Sequence, residues 1–587
     1  MKTVYYNGTV YTGALPLVQA FVEEDGRFVF AGTNEEARMA AGEQAELIDL
    51  EGRFVCSGFN DSHMHLLGFG SALNSAQLAK HTESLQDMVA CLKEFAASRT
   101  RSAGAWIMGR GWNQDYFTDA DRMPDRYDLD QVSTEIPVCA VRACGHCLVV
   151  NSKALEVLGV TAETPQPEGG HIGIEHGEPD GRFFDNAMDP VYAAIPEPDK
   201  AEVKHMLKMA CKELNRFGVT SSQTDDYCTF RKVPWSVVNE AYRELEAEGE
   251  LTVRVYEQSN FTDLDSLKEF VEAGNVTGAG SDFFKIGPLK MLGDGALGAR
   301  TAFLSQPYAD DPSTCGIPVF TQETLDTMIG YANEHRMQVA VHSIGDACLD
   351  RVLHAIEKAL EEHPREDHRH GIVHCQITRP DQLKKIEDLN LHVYAQSIFL
   401  DYDIHIVEDR AGEKLASTSY NWKTLMKHGV SVSNGSDCPV ELPDVLGGIQ
   451  CAVTRKTLKD QIGPYLPDQA FTVQEAIDSF TTRSAEGSFE ENFKGRIAPG
   501  MAADFVVLDQ NLFEIPENAI KDVKVCGTYV AFACHGVPSP KVFKKYITTL
   551  ETKYKKKIID YKFRTKIHGY GILKEAKQDR ACTDYIF

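Results

Sequence analysis

Short stretches in which apolar and polar residues alternate occur near both ends of the chain. Residues 1–55 contain them with Asn-Gly and Asp-Gly turn signals, as in "YYNGTVYTG" and "EEDGRFVFAG", which is typical of short antiparallel strands joined by hairpins. A similar pattern returns in residues 486–538, as in "GMAADFVVLDQN" and "VKVCGTYVAFACHG". The two ends together predict one small, composite β-sandwich domain.

The long middle of the chain, residues 56–485, alternates apolar runs with amphipathic segments. Runs such as "LTVRVYEQ" and "MQVAVHSIGD" predict strands, and segments such as "CLDRVLHAIEKALEE" predict the helices between them. Repeated strand–helix units indicate a parallel sheet of the α/β class. Six or more units favour a closed, TIM-like (β/α)8 barrel, with an open sheet as the alternative. Residues 66–200 are too long for one unit and predict a large insertion.

Composition and charge narrow the classes of function. The chain has 587 residues, a formal net charge of −26 and 15 cysteines. Because phosphate binding needs a basic surface, we expect no nucleic-acid partner. No apolar run approaches the roughly 18–20 residues that cross a bilayer, and the start lacks the apolar core of a secretion signal. We therefore expect no membrane association, a cytoplasmic location and reduced, singly placed thiols.

The last segment of the chain, residues 539–587, is basic and aromatic, as in "KVFKKYITTLETKYKKKIIDYKF". Basic runs are usually solvated, so we expect a basic C-terminal extension on the surface. Contact with a partner or a membrane is the alternative.

Histidines and an aspartate lie at the ends of several predicted barrel strands. In "GFNDSHMH", His63 and His65 are two residues apart and share one face of a strand, as in a two-imidazole metal clamp. The strands in "QVAVHSIGD" and "HGIVHCQ" end in His342 and His374, and "VSVSNGSDCP" contains Asp437. Because the C-terminal ends of barrel strands converge on one site, these five side chains predict the ligands of a divalent metal ion.

Lys290 has the same strand-end position in "FFKIGPLKMLGDG". A free ammonium cannot ligate a cation, but a lysine that has reacted with CO2 becomes a carbamate, whose two oxygens can bridge two metal ions about 3.5–4 Å apart. We predict a carbamylated Lys290 in a binuclear centre, with an unmodified lysine beside one ion as the alternative. Zinc suits imidazole and carboxylate ligands, and manganese or iron also fits.

The HxH pair, the strand-end lysine, the two later histidines and the aspartate, in this order, resemble the amidohydrolase superfamily. The segments "LKMLGDGALGARTA", "NGSDCPVE" and "KGRIAPGMAADFVVLD" resemble its YtcJ-like branch, which includes N-substituted formamide deformylases. The resemblance covers roughly residues 1–535. It implies a metal-bearing barrel with a composite β-sandwich, hydrolysis of C–N bonds and, as a family-level expectation, a homodimer. Val373 is a departure, because the family pattern has glutamate before the histidine at this position.

These observations predict a metal-dependent hydrolase of a non-peptide C–N bond, of amide or formamide type, in a small molecule. A metal lowers the pKa of bound water and polarises a carbonyl group. Asp437 would act as general base toward the water and then as general acid toward the leaving nitrogen. A cyclic amidase, a deaminase and a catalytically silent scaffold of the same fold stay open as alternatives.

Four further residues are candidates for substrate contact: Trp112, His146, Asp294 and Arg300. Trp112 and His146 belong to the predicted insertion. Asp294 and Arg300 flank the glycines after the strand-end lysine and would either orient substrate or pin a turn. The CxxC at Cys144–Cys147 lacks the thioredoxin-like context of a redox motif, so we do not expect redox chemistry there.

Overall fold

The computed structural model describes residues 2–98, 104–143 and 146–531, together with the backbone of residues 570–573. These residues belong to two compact units. The first unit holds residues 2–66, 211–228, 239–531 and 570–573, and the second holds residues 67–210 and 229–238 within the described ranges. Across the described residues, the structure contains no helix that is long and apolar enough to cross a membrane.

The first unit begins with short strands from the N-terminal segment. The elements are β1 (Thr3–Tyr6), β2 (Thr9–Val10), β3 (Ala20–Glu24), β4 (Arg27–Gly32), α1 (Asn34–Ala41), β5 (Glu46–Asp49), β6 (Phe54–Ser57) and β7 (Phe59–Met64). Asp25 and Gly26 join β3 to β4 with φ values of 51° and 81°, the left-handed conformation of a tight Asp-Gly hairpin. Four strands form a sheet in the order β4-β3-β1-β5.

The second unit is built around its own six-stranded sheet, in the order β12-β13-β11-β10-β9-β8. The elements are α2 (Leu66–Leu73), β8 (Ala76–Gln77), α3 (Leu85–Ala97), β9 (Ile107–Trp112), α4 (Arg126–Asp130), β10 (Val138–Arg142), β11 (Cys147–Val150), α5 (Ser152–Leu158), β12 (Gly170–Glu175), β13 (Glu178–Asp185), α6 (Asp189–Ala194) and α7 (Lys200–Arg216), which ends in the first unit. Along β11, Cys147 and Val149 pack in one apolar cluster and Leu148 and Val150 in another. Both faces of this sheet are therefore buried, so much of the predicted insertion has a core of its own.

Seven more parallel strands follow β7 in the main sheet of the first unit. The elements are β14 (Val219–Thr224), α8 (Trp235–Ala247), β15 (Arg254–Asn260), α9 (Leu264–Glu272), β16 (Phe284–Leu292), α10 (Gln322–Glu334), β17 (Val339–Ser343), α11 (Asp346–Glu362), β18 (Gly371–His374), α12 (Pro380–Asp388), β19 (His392–Ala395), α13 (Leu400–Asp403), α14 (Val407–Ala416), α15 (Trp422–Lys427), β20 (Val432–Asn434), α16 (Val445–Thr454), α17 (Val473–Ser479) and α18 (Thr482–Gly487). The strand order is β20-β19-β18-β17-β16-β15-β14-β7.

Hydrogen bonds between its first and last strand regions close this sheet into a barrel. The backbone N–H and the hydroxyl of Ser436, just after β20, donate to the two carboxylate oxygens of Asp61 in β7, at 3.0 and 2.5 Å. The N–H of Asp437 donates to the carbonyl oxygen of His63 at 2.8 Å. The predicted α/β barrel class is confirmed.

A five-stranded sheet combines strands from both ends of the chain. After β21 (Phe505–Leu508), β22 (Val525–Ala531) and β23 (Tyr570–Leu573), the order is β2-β6-β21-β22-β23. Phe505 of β21 stacks on Tyr529 at 4.2 Å between ring centroids and meets the ring of Tyr5 of β1 at 5.0 Å. The composite β-sandwich is confirmed. Of the predicted extension at 539–587, only the β23 backbone lies within the described residues.

Candidate metal centre

The C-terminal ends of three barrel strands bring two imidazoles and a carboxylate together. His63 lies near the end of β7, His374 ends β18, and Asp437 follows β20 by three residues. One ligand atom from each of these buried residues lies within 4.8 Å of the others. His374 and Asp437 have φ values of 73° and 58°, so the backbone leaves the extended conformation where each side chain turns into the site.

His65 and His342 extend this group on either side. The Nε2 atom of His65 lies 3.1 Å from Oδ1 of Asp437, and Nε2 of His63 lies 3.4 Å from the same oxygen. On the other side, Nδ1 of His342 lies 3.0 Å from Nε2 of His374. The structure thus gathers the four predicted histidines and the aspartate into one cluster.

Two glutamines fix the protons of the central histidines. Nδ1 of His63 lies 2.7 Å from Oε1 of Gln258, whose amide is oriented because its Nε2 donates to the carbonyl of Ser62 at 3.1 Å. Nδ1 of His374 lies 2.7 Å from Oε1 of Gln396. An amide oxygen only accepts hydrogen bonds, so each Nδ1 carries the proton. Each Nε2 therefore presents a lone pair to the site.

Backbone carbonyls fix the outer histidines in the same way. Nδ1 of His65 donates to the carbonyl oxygen of Asp225 at 3.0 Å, and Nε2 of His342 donates to that of Gly295 at 3.1 Å. The inward nitrogens of both rings are therefore acceptors when the rings are neutral. Nε2 of His374 and Nδ1 of His342 face each other as acceptors at 3.0 Å, and this contact calls for a positive centre between them. A divalent cation fits this donor set.

The pKa shifts indicate which groups of the cluster are charged and which are neutral. Burial, with the charge of Lys290, lowers the pKa of His63 to about 4, and burial holds that of His374 well below its usual range. Burial would lower the pKa of His65 too, but the hydrogen bond and charge of Asp437 outweigh it and raise it to about 9. Burial would raise the pKa of Asp437, but its contacts with His63 and His65 hold it well below its usual range. His63 and His374 are thus neutral, and Asp437 is ionised.

Lys290 is buried beside the cluster as part of an ion pair. Its Nζ lies 3.3 Å from Oδ2 of Asp225, and the amide of Asn260 donates to the same oxygen at 2.9 Å. Asp225 therefore contacts two candidate ligands, because its carbonyl also holds His65.

Residues 46–531 match the model of the amidohydrolase family, which covers most of the chain. The chain belongs to the amidohydrolase family. YtcJ of Bacillus subtilis (strain 168) is 34% identical over 521 residues, which cover 88% of this chain and 96% of YtcJ. The N-substituted formamide deformylase of Arthrobacter pascens is 25% identical over 521 residues, 87% of this chain and 94% of the deformylase.

The crystal structure of an uncharacterized metal-dependent hydrolase from Pyrococcus furiosus has a TM-score of 0.72 and 29% sequence identity, with 88% of this chain and 100% of that chain covered. The predicted resemblance to the YtcJ-like branch of the amidohydrolases is confirmed.

Asp294 of this amidohydrolase is buried in the loop after β16. Its carboxylate accepts the N–H groups of Phe303, Ile344 and Gly345 at 2.8, 3.1 and 2.8 Å. It also lies 3.3 Å from Nε2 of His342. Asp294 therefore ties this loop to the end of β17 and orients His342.

Arg300 pairs with a residue of its own loop. Its guanidinium donates to both carboxylate oxygens of Asp310 at 3.1 and 2.7 Å. This contact is the loop-pinning arrangement, and the structure does not bring Arg300 to the four histidines.

The two candidates in the second unit have local partners there. Trp112 is fully buried in an apolar cluster, and its indole N–H donates to the carbonyl of Ala140 at 2.9 Å. His146 is exposed, with Nδ1 3.0 Å from a carboxylate oxygen of Asp185. Cys144 lies outside the described residues, and Cys147 is a buried cysteine in β11.

The departure at Val373 leaves His374 supported from another strand. Val373 is buried against Ala340 and Tyr394, while Gln396, just after β19, holds Nδ1 of His374. The missing glutamate is therefore not needed to fix this imidazole.

Three residues that orient the candidate metal-ligating histidines were not predicted from the sequence: Asp225, Gln258 and Gln396. A signal existed in β15, "RVYEQSN", which is buried throughout although it ends in consecutive polar residues. Polar groups are buried only with hydrogen-bond partners, so such a strand end points to a site.

Proposed function

We propose that this amidohydrolase hydrolyses a non-peptide, amide-type C–N bond of a small molecule, with N-substituted formamides as the leading class. The observation that carries the proposal is the convergence of four imidazoles on the ionised Asp437, with every outward ring nitrogen already hydrogen-bonded. The similarity to a formamide deformylase over 94% of that protein supports the substrate class.

His63, His374 and Asp437 would hold a divalent cation, with His65 and His342 in the same cluster. Zinc is the leading ion because imidazole and carboxylate suit it, and manganese and iron are the alternatives. When bound, such an ion polarises the substrate carbonyl and lowers the pKa of a bound water.

Asp437 would move the proton in this reaction. Both of its contacts with imidazoles are made through Oδ1, which leaves Oδ2 for the attacking water. The low pKa keeps the carboxylate ionised and ready to accept that proton. The same oxygen then returns the proton to the leaving nitrogen, as a general base and then a general acid.

Lys290 is proposed to form a carbamate when cations are present. The Nζ ammonium first loses one proton, a bond then forms between the neutral Nζ and the carbon of CO2, and a second proton leaves the nitrogen as the carbamate anion forms. The product would place an anion beside the carboxylate of Asp225, which is now 3.3 Å from Nζ. Positive charge in the cluster is therefore required to offset this repulsion.

The test uses the full chain reconstituted with zinc, manganese or iron, and measures amine and ammonia release from a panel of small molecules. N-substituted formamides should yield amine and formate. Turnover confined to cyclic amides or to amino-substituted heterocycles would replace the proposal with a cyclic amidase or a deaminase. A protein that cannot be reconstituted with any metal and turns over nothing would be the silent scaffold.

Asp437→Asn should lower kcat by about 10²–10⁴-fold, the usual contribution of a general acid–base group. The amide keeps the shape of the carboxylate, so elemental analysis should still find metal. Near-parental turnover with full metal content would remove Asp437 from the proton-transfer role.

A further inference from the structure

An exposed apolar side chain lies at the mouth of the barrel beside the cluster of four histidines and Asp437. Leu292, the last residue of β16, is two residues beyond Lys290 and so shares its face of the strand. Leu292 also pairs in register with His342 of β17. Its side chain is 40% exposed although its neighbours on β16 are buried.

Two valines are exposed next to the same strand ends. The N–H of Val319 donates to the carbonyl of Gly293 at 3.0 Å, which places it beside Leu292, and Val319 is 53% exposed. The N–H of Val440 donates to the carbonyl of Asp437 at 2.8 Å, and Val440 is 45% exposed. Apolar surface is thus open to solvent on the His342 side and on the Asp437 side of the cluster.

Apolar groups gain free energy when a ligand covers them, and binding sites combine such surface with a few placed polar groups. We propose that Leu292, Val319 and Val440 bind an apolar substituent on the nitrogen of the scissile amide. Val440 assigns the substituent to the nitrogen, because it follows by three residues the aspartate that would protonate the leaving nitrogen. This inference rests on the proposed amide hydrolysis and names its substrate class.

The test compares kcat/KM for N-alkylformamides of increasing chain length on the metal-reconstituted full chain. In the parent, kcat/KM should rise about three- to fourfold for each methylene that becomes buried. Leu292→Ser should flatten this rise, mainly through KM.

Val440→Thr is a second variant with nearly unchanged shape, and it should also reduce the rise. Leu47→Ser is the matched control, since Leu47 is a leucine on β5 that is 51% exposed; it should keep the parental slope. A parent that hydrolyses no formamide would overturn the proposed function itself. A parent that hydrolyses them all with a flat chain-length profile, or prefers N-aminoalkyl formamides, would overturn this inference alone, as would a parental slope in both variants.

Discussion

The hydrogen-bond partners of the two ring nitrogens decide which histidines of this chain have a lone pair available for a cation. A second HxH pair, His368 and His370, has the same spacing as His63–His65. In that pair Nδ1 of His370 accepts the N–H of Val339 at 3.1 Å, and its Nε2 lies 3.0 Å from the amide oxygen of Asn333. Nδ1 of His368 accepts the N–H of His370 at 3.0 Å. Backbone N–H groups occupy the Nδ1 lone pairs of His368 and His370. The HxH spacing of this second pair therefore serves packing and not metal binding.

Gln258→Leu should lower metal affinity by about 10–100-fold, the usual cost of losing the group that orients a ligating histidine. Without Oε1, Nδ1 of His63 loses its acceptor and the ring is free to turn or change tautomer. Competition with a chelator, read by elemental analysis, measures the change. Gln223→Leu is the control, because Gln223 is buried in the neighbouring β14 and bonds to Ser484 instead. Equal affinity in both variants would show that the glutamine does not support the ligand.

Asp225→Asn should allow Lys290 to form its carbamate at about tenfold lower bicarbonate, because a neutral amide no longer repels the adduct. Carbon-13 NMR with labelled bicarbonate and metal measures the carbamate signal. Lys290→Arg is the control and should show no signal, since a guanidinium stays charged. If Asp225→Asn and the parent both lack a signal at full metal occupancy, Lys290 is an unmodified cation.

The candidate ligands could be predicted because strand ends in a barrel converge, so histidines at one relative position in successive strands must meet. Their supports could not be predicted. Gln258 and Gln396 reach the imidazoles of His63 and His374 only because of the backbone conformation at the strand ends, which the sequence pattern does not specify. Glutamine is also a common surface residue, so its presence gives no signal. The burial of Trp112 in an apolar cluster could not be predicted either, because an aromatic residue beside polar ones is compatible with a pocket and with a core.

At the scale of an element, the two ends of β15 have different roles: one stabilises the fold and the other supports the candidate site. Its last residues include Gln258, which bonds to His63 of the cluster, and Asn260, which donates to Asp225 beside it. Its first residue, Arg254, donates to both carboxylate oxygens of Asp504 at 2.6 and 3.2 Å and to the carbonyl of Ala531 at 2.6 Å. These partners of Arg254 belong to the composite sheet region and not to the candidate site. The strand therefore holds the barrel to the composite sheet at one end and the ligands at the other.

Arg254→Met should lower the free energy of unfolding by about 3–5 kcal/mol, because it leaves Asp504 buried without its partner. Combining it with Asp504→Leu should cost less than the sum of the two single changes. Urea unfolding followed by circular dichroism measures this coupling. Lys384→Ala, which removes an exposed ion pair with Asp388, is the control and should change stability by less than about 1 kcal/mol. Additive losses would mean that the buried pair acts as two independent residues.

At the scale of the whole molecule, the alternation of strands and helices was enough to predict the barrel, and the short stretches of alternating apolar and polar residues near both ends were enough to predict the composite sandwich. The internal order of the inserted unit was not predictable, since its sheet mixes parallel and antiparallel pairs. Its strands are short and joined by loops of unequal length. Local patterning cannot choose among such pairings, because tertiary contacts between distant segments decide them.

Acid should destabilise the first unit through Glu490, which bonds to Lys285 and Lys494 at 2.7 Å each. Burial would raise the pKa of Glu490, but the two lysines outweigh it and lower it to about 2. Between pH 4.5 and 2 the unfolded chain therefore binds more protons than the native one, so stability falls as pH falls, by on the order of 3 kcal/mol.

Glu490→Gln should be less stable at pH 7 and lose less on acidification, as measured by urea unfolding from pH 7 to pH 2.5. Glu35→Gln, on the exposed side of α1, should match the parent at every pH. A variant with the parental acid slope would show that Glu490 does not cause it.

The seam between Asp61 and Ser436 joins residues 375 positions apart. Ribosomes add about 5–20 residues per second, so on the order of 20–75 s separate the synthesis of its two sides. Throughout that interval the nascent chain carries His63 without the carboxylate that completes its group. A chain released early, before Ser436, has neither the seam nor Asp437. The candidate metal-binding group of this fold is therefore complete only after about three quarters of the chain has been made.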